Sequence, residues 1–316
     1  MTIGITAFNA ADTIERAVRS ALAQNWLPIE IVVVDDCSSD ETYGILNRLA
    51  AAHPEVRVFQ NPGNGGVAVS RNHILAEAKG GFVAFFDDDD ESLPDRISIQ
   101  YARIISYEHD FAAGALVICH TARTLFYPDG SERIDPTMGE REERLAPHGP
   151  AVAERVLLGT ALEDGYGACP TCSQMARLTT YQNVGGFDPT FRRSEDTELN
   201  IRLAKEGGHF IGIAMPLVRQ TMTKTNDKSL ADERYHTHLL LNKHRDVADR
   251  YGMYNFCQRW IDIKYQWLEG RKFSFAFALM GQVLAHPWLV YRRLMAALPN
   301  IGLNKAFSRF HGWRKG

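Results

Sequence analysis

The residues able to do chemistry fall into three acidic groups. Asp87-Asp88-Asp89-Asp90 follows Phe82-Val83-Ala84-Phe85-Phe86, Asp35-Asp36 follows the run Ile29–Val34, and Glu195-Asp196 opens a stretch of helical spacing. Packed carboxylates repel one another, so such a cluster is costly unless it is solvated, paired or held on a cation. Hard divalent cations take oxygen ligands, commonly one or two carboxylates plus substrate phosphates. A solvated turn is the plain alternative for the four aspartates, but their place directly after an apolar strand favours the metal role. Asp35-Asp36 has two uses, accepting hydrogen bonds from a base or ribose or capping a turn. Glu195-Asp196 could supply a general base toward a substrate hydroxyl, or merely favour a helix dipole.

Residues so far apart need a scaffold that brings them together. Thr2–Phe8, Ile29–Val34, Val56–Gln60 and Phe82–Phe86 read as strands. Thr13–Gln24, Glu41–Ala52 and Val67–Ala78 between them read as helices, the second capped by Ser39 or Asp40. The continuous β-branched run suits a strand buried on both faces, as in a parallel sheet. The alternation predicts a doubly wound α/β sheet with helices on both faces. Ligands of such sheets bind beyond the carboxyl ends of the strands, where Thr6–Asn9, Asp35-Asp36 and Asp87–Asp90 all fall. Farther on, Tyr127–Pro150 reads as a loop or a hairpin around Pro128-Asp129-Gly130, Thr197–Glu206 as a helix capped near Ser194, and the chain from Asp232 as mostly helical.

Other signals are weaker. Gly63-x-Gly65-x-x-Ala68 formally matches a dinucleotide fingerprint. Two βα units precede it, however, whereas that fingerprint usually sits in the first βα turn. Cys169-Pro170-Thr171-Cys172 lacks a second pair for structural zinc, and His236 and His238 read as ordinary surface or core histidines. The chain has 316 residues, 45% of them apolar, and a net charge of −3, which excludes wholesale disorder and argues against nucleic acid as a partner. Five cysteines make no disulfide framework, and the first apolar run, Ile3 to Phe8, is too short for a signal peptide, so the expected setting is the cytoplasm.

Together the motifs resemble the family 2 glycosyltransferases of GT-A fold. The resemblance rests on Thr6-Ala7-Phe8-Asn9, Ile31–Thr42, Asn64-Gly65-Gly66 with Ser70-Arg71-Asn72, Phe85–Asp90, Gly185-Gly186-Phe187-Asp188, and Glu195-Asp196 with Glu198-Leu199, in family order across roughly residues 2–230. It implies that Thr6 and Phe8 line the nucleotide base, that Asp36 hydrogen-bonds it, and that Asn9, Gly65 and Arg71 belong to the donor site. Asp87 and Asp89 match the family's DxD, with Asp89 the foremost ligand of a Mg²⁺ or Mn²⁺ ion and Asp87 or Asp88 near the ribose. Asp196, with Glu195 beside it, matches the catalytic base. The implied activity is inverting transfer of a sugar, a UDP-sugar by family habit, to a saccharide or lipid-linked acceptor in surface-polysaccharide assembly. Gln258-Arg259-Trp260 lacks the spacing of the processive members' motif, which favours one sugar per encounter. The stretch Arg219–Asn226 has no His for a third metal ligand, though Lys224 could meet phosphate. A non-catalytic nucleotide-sugar binding module and an NAD(P)-dependent oxidoreductase using Gly63–Ala68 are the competing readings.

The domains expected are 1–230, the transferase, and 231–316, a helical extension. Residues 271–316 carry eight Lys/Arg and no acid, against a balance of −11 over the rest. Phe273–Tyr291 is nineteen residues without a charge, interrupted by Gln282, His286 and Pro287. Interfacial helices on an anionic membrane surface, the inner face of the plasma membrane, fit this pattern. Packing on the acidic body or on a partner chain is the alternative.

Overall fold

The computed structural model describes residues 1–222 and 229–297. Lys224, much of the Arg219–Ser229 stretch, and the basic residues from Lys305 onward lie outside them. The chain forms two compact units, one of Met1–Pro150 with Gly167–Thr223, the other of Ala151–Tyr166 with Lys224–Gly316.

The first unit is built on one mixed sheet. Strands β1 (Thr2–Ala7), β2 (Glu30–Asp35), β3 (Val56–Gln60) and β4 (Phe82–Asp87) alternate with helices α1 (Ile14–Leu22), α2 (Thr42–Ala52) and α3 (Val67–Glu77). The remaining strands are β5 (Glu91–Ser92), β6 (Val117–Phe126), β7 (Glu132–Asp135), β8 (Met175–Arg177) and β9 (His209–Thr221), with helices α4 (Arg96–Tyr107), α6 (Leu178–Asn183) and α7 (Glu195–Lys205). The strand order is β3-β2-β1-β4-β8-β6-β9-β5, with β7 paired to β6. The first four strands are parallel, as the β-branched run Ile29–Val34 predicts, and β4 then meets β8 antiparallel. Ile3, Ile5, Ile31, Val33, Ala84 and Phe86 fill the core beneath α1 and α4.

Register decides where the chemistry gathers. Ala7 pairs with Asp35 and Thr6 with Asp87, so three strands end in one row at the carboxyl edge. Of the loop and the hairpin that the residues after Tyr127 allow, the hairpin forms, as β6–β7, closed by the Gly130 amide on the Tyr127 carbonyl. The long strand β9 carries no comparable local signal. Its apolar residues are broken by Gly212, Pro216 and Arg219, and its register on β6 shifts at Thr121–Arg123.

The second unit comprises α5 (from Ala151 to Leu158 of the helix Pro150–Leu158), α8 (Leu230–Lys243), α9 (Arg245–Asp249), α10 (Tyr254–Leu268), α11 (Lys272–Ala285) and α12 (Pro287–Ala297). The apolar tail segment is therefore two helices, bent by 117° at His286. No single described helix is long and apolar enough to cross a membrane.

Candidate active site

Arg71 is the hub of the carboxyl edge. It projects from α3, is 5% exposed, and donates to Glu195 Oε1 at 2.6 Å and to Asp87 Oδ1 at 3.3 Å. Its guanidinium also lies over the Phe187 ring, 5.4 Å from the centroid. Burial alone would lower its pKa, but Glu195, Asp87 and Asp196 outweigh that and raise it. Two of the acidic groups thus share one cation although 108 positions separate Asp87 from Glu195. Asn72, the next residue on α3, fixes the approach of the segment leading into α7. Its side chain donates to the Phe187 carbonyl at 2.7 Å and accepts from the Phe187 amide at 2.8 Å.

The third acidic group is tied to the same helix from its other end. Asp36, 4% exposed, accepts from Asn61 Nδ2 at 2.7 Å, the Gly65 amide at 3.1 Å and the Gly66 amide at 2.7 Å. Gly66 has φ of +88°, a conformation L side chains rarely adopt, and that turn points its N–H at the carboxylate before α3 begins. Two amides of the Gly63–Ala68 loop therefore serve Asp36. Asp35 is fully buried and holds the Ser38 amide and hydroxyl and the Gln60 side chain.

The loop after β1 closes over the strand ends. The Phe8 amide donates to Asp88 Oδ2 at 3.0 Å, while the Phe8 ring stays 47% exposed. Asn9, at φ of +50°, donates its amide to Ser38 Oγ and accepts from the Ser39 amide. Arg16 on α1 donates to the Asp89 carbonyl at 2.7 Å. Burial, with Asp89 and Asp87 adding to it, raises the Asp88 pKa to about 7 against the Phe8 hydrogen bond.

Asp90 faces inward. It is 4% exposed, and neither carboxylate oxygen has a hydrogen-bond partner among the described residues. Burial and the charges of Asp87 and Asp89 push its pKa to about 8. Ligand atoms of Asp87, Asp90 and Cys172 all lie within 4.8 Å of one another. An unpartnered buried carboxylate beside a second carboxylate is a donor set that fits a divalent cation. The family pattern points to Asp87 and Asp89 as ligands in this run, with Asp87 or Asp88 near the ribose. Asp90 was legible in it, but Cys172 arrives through a turn beside β4, where the Phe85 amide bonds the Gln174 carbonyl.

Behind the acidic edge sits Arg96, fully buried, with Ser92, Gln100 and the Phe85 carbonyl as hydrogen-bond partners and the Phe86 ring 4.4 Å away. Burial lowers its pKa to about 10. Asp196 lies in the first turn of α7, half-buried, and accepts from the Thr197 amide and hydroxyl. Ser194 stands at the N-cap position of α7 with φ of +60° and makes no side-chain cap bond. Glu195 has its pKa raised by burial and by Asp196, against the pull of Arg71.

A parallel α/β half joined to an antiparallel half, with an acidic carboxyl edge, defines a GT-A architecture. The family model for glycosyl transferase family 2 matches residues 2–159, half of the chain, and the chain belongs to that family. It is 42% identical over 97 residues to the succinoglycan biosynthesis protein ExoO of Rhizobium meliloti, covering 31% of this chain and 27% of that protein. Over 100 residues it is 39% identical to the UDP-Glc:alpha-D-GlcNAc-diphosphoundecaprenol beta-1,3-glucosyltransferase WfaP of Escherichia coli, covering 32% and 39%. The chain thus matches well under half the length of these two relatives. The mannosyltransferase PcManGT of Pyrobaculum calidifontis, solved with GDP-Man and Mn²⁺, shares the fold at a TM-score of 0.57 and 16% identity, over 99% of this chain and 84% of that one.

Proposed function

We propose that this chain is an inverting, metal-dependent transferase that moves a sugar from a UDP-sugar to a hydroxyl of a saccharide or lipid-linked acceptor. The single observation that carries the reading is the Arg71 bridge, which binds the acid at the end of β4 and the acids opening α7 to one guanidinium. A transferase needs these two kinds of carboxylate side by side, one set facing the diphosphate and one facing the acceptor.

In this reading the exposed Phe8 ring offers a stacking face to the base, with Thr6 and Asn9 beside it. Asp36 acts on the nucleotide pocket by shaping the Gly65-Gly66 turn, and Asp88 lies toward the ribose. Asp87, Asp89 and Asp90 would hold the divalent cation, Mg²⁺ or Mn²⁺. When bound, that ion offsets the negative charge developing on the departing nucleotide. Asp196 takes the proton from the acceptor hydroxyl as its oxygen attacks the anomeric carbon from the face opposite the leaving group. One displacement inverts the configuration and needs no covalent nucleophile. Glu195, held by Arg71, keeps the start of α7 in place. Lining up two bound substrates supplies much of the acceleration.

The donor and acceptor classes rest on the likeness to the glucosyltransferase WfaP, and polysaccharide assembly on the likeness to the succinoglycan biosynthesis protein ExoO. Exposed Phe273, Phe277, Leu284 and Trp288 on α11 and α12, with Arg271, Lys272 and Arg292, support docking on an anionic membrane face. The oxidoreductase reading loses ground because two of the loop amides a pyrophosphate would need already serve Asp36. The test is transfer by the purified chain with a panel of UDP- and GDP-sugars and Mn²⁺ or Mg²⁺. If Asp89→Ala and Asp196→Ala each retained full transfer, the proposal would be wrong.

A further inference from the structure

The second unit contains a cavity of about 400 Å³ formed by α5, the segment after it, and α12. Three arginines line it, Arg155, Arg292 and Arg293, and no Asp or Glu does. Arg155 donates to the carbonyls of Gly165 and Thr160, each at 3.2 Å. Arg293 donates to the Leu158 carbonyl, bonds Cys257, and lies over the Trp260 ring at 5.5 Å. The two guanidiniums are thus held by neutral groups while facing the same space. Burial lowers the pKa of both, and Arg155 lowers that of Arg293 further. Gly159, at φ of +64°, lies against Arg293 so closely that a Cβ there would come within 3.1 Å of its guanidinium carbon. Like charges brought together in a partly desolvated site without a carboxylate are unfavourable until an anion joins them. Guanidinium forks match phosphate oxygens in geometry and charge.

We propose that this cavity is a subsite for the phosphate or diphosphate group of a lipid-linked acceptor. The inference rests on the transfer reading for the word acceptor, and on the cavity for the word phosphate. The lipid source follows from the walls. Leu158, Leu162, Met253, Leu289 and Met295 line the same space, which a free inorganic anion would not use. On the same unit Phe277, Leu284 and Trp288 are 83%, 79% and 65% exposed, an apolar surface suited to acyl or prenyl chains.

The test uses the full chain and three kinds of phosphatidylcholine vesicle: plain, with polyprenyl phosphate, and with phosphatidylserine at equal charge. The wild type should bind the polyprenyl phosphate vesicles about tenfold more tightly than the phosphatidylserine vesicles. Arg155→Gln should remove that preference and leave binding to plain vesicles unchanged. Ala161→Glu, on the exposed rim, should do the same by supplying an internal counter-charge, and it removes no buried group. Equal binding to both anionic vesicles, or an undiminished preference in Ala161→Glu, overturns the proposal. Inorganic pyrophosphate that binds the cavity as tightly as the lipid does would overturn the lipid assignment. UDP affinity of the wild type, measured alongside, reports on the transfer reading, so the two failures are distinguishable.

Discussion

Arg71 and Glu195 meet at 2.6 Å across 124 positions of sequence, and both side chains are largely withdrawn from water. Removing the cation leaves two carboxylates facing each other with their desolvation uncompensated. Arg71→Met should cost about 3–5 kcal/mol of stability, as for other broken buried pairs. Arg71→Lys should recover only part of it, because an ammonium cannot reach Glu195 and Asp87 as a fork does. Chemical denaturation of the three proteins checks this, and an Arg71→Met variant as stable as the wild type would remove the bridge from the account.

Asp196→Asn keeps the shape of the first turn of α7 but removes the base. Turnover should fall by about 10²–10⁴-fold. UDP affinity should stay near the wild-type value. Calorimetry with UDP beside initial-rate kinetics separates the two effects; a parallel loss of UDP binding would place Asp196 in the donor pocket instead.

Asp36 satisfies three donors at once, so Asp36→Ala strands two glycine amides and removes one of the two bonds donated by Asn61 Nδ2, the other staying on Ser70. The expected loss is about 2–4 kcal/mol, with weakened UDP binding because the turn before α3 loosens. Hydrogen exchange should rise at Gly65 and Gly66. Unchanged protection there would mean the turn holds without the carboxylate.

A divalent cation that binds the native chain should raise its melting temperature, by about 2.7 kcal/mol of stability at a hundredfold excess over its dissociation constant. Asp87→Asn combined with Asp90→Asn should abolish the shift. Without added metal Asp90→Asn alone should melt no lower than the wild type, since neither Asp90 oxygen has a hydrogen-bond partner to lose, whereas Asp87→Asn also weakens the contact with Arg71. A full Mn²⁺ shift in the double variant would move the ion elsewhere.

His120 gives a pH signature apart from the active edge. It is fully buried, and burial, followed by the charges of Arg123 and Arg96, pushes its pKa down to about 3. The unfolded chain takes up the proton near pH 6.5 and the folded chain does not. The stability tied to neutral His120 is therefore whole above about pH 6.5 and drains as the pH falls toward about 3. Between pH 6.5 and pH 5 the loss should be about 1–2 kcal/mol. His120→Gln should flatten that limb of a denaturation series, and an unaltered slope would mean the ring is protonated when folded.

Much of this molecule was legible in its residues. The unbroken apolar runs before Asp35 and Asp87 and the helical spacing between them set the parallel half of the sheet, because period and apolarity are local properties. The placing of Asp36 and Asp87 at strand ends followed from the same pattern, since parallel strands share one carboxyl edge. Other features were decided only in three dimensions. Asp36 turns toward the glycine loop, Arg71 joins β4 to α7, and Cys172 sits near Asp90, none of which has a local signature. Strand β9 is broken by Gly212 and Pro216, so its pairing with β6 comes from the partner strand and not from its own pattern. The cavity among Arg155, Arg292 and Arg293 joins residues some 137 positions apart, and only folding could bring those charges to one wall. Sequence carries what each residue prefers near its neighbours along the chain; packing alone decides which distant charges must share a space.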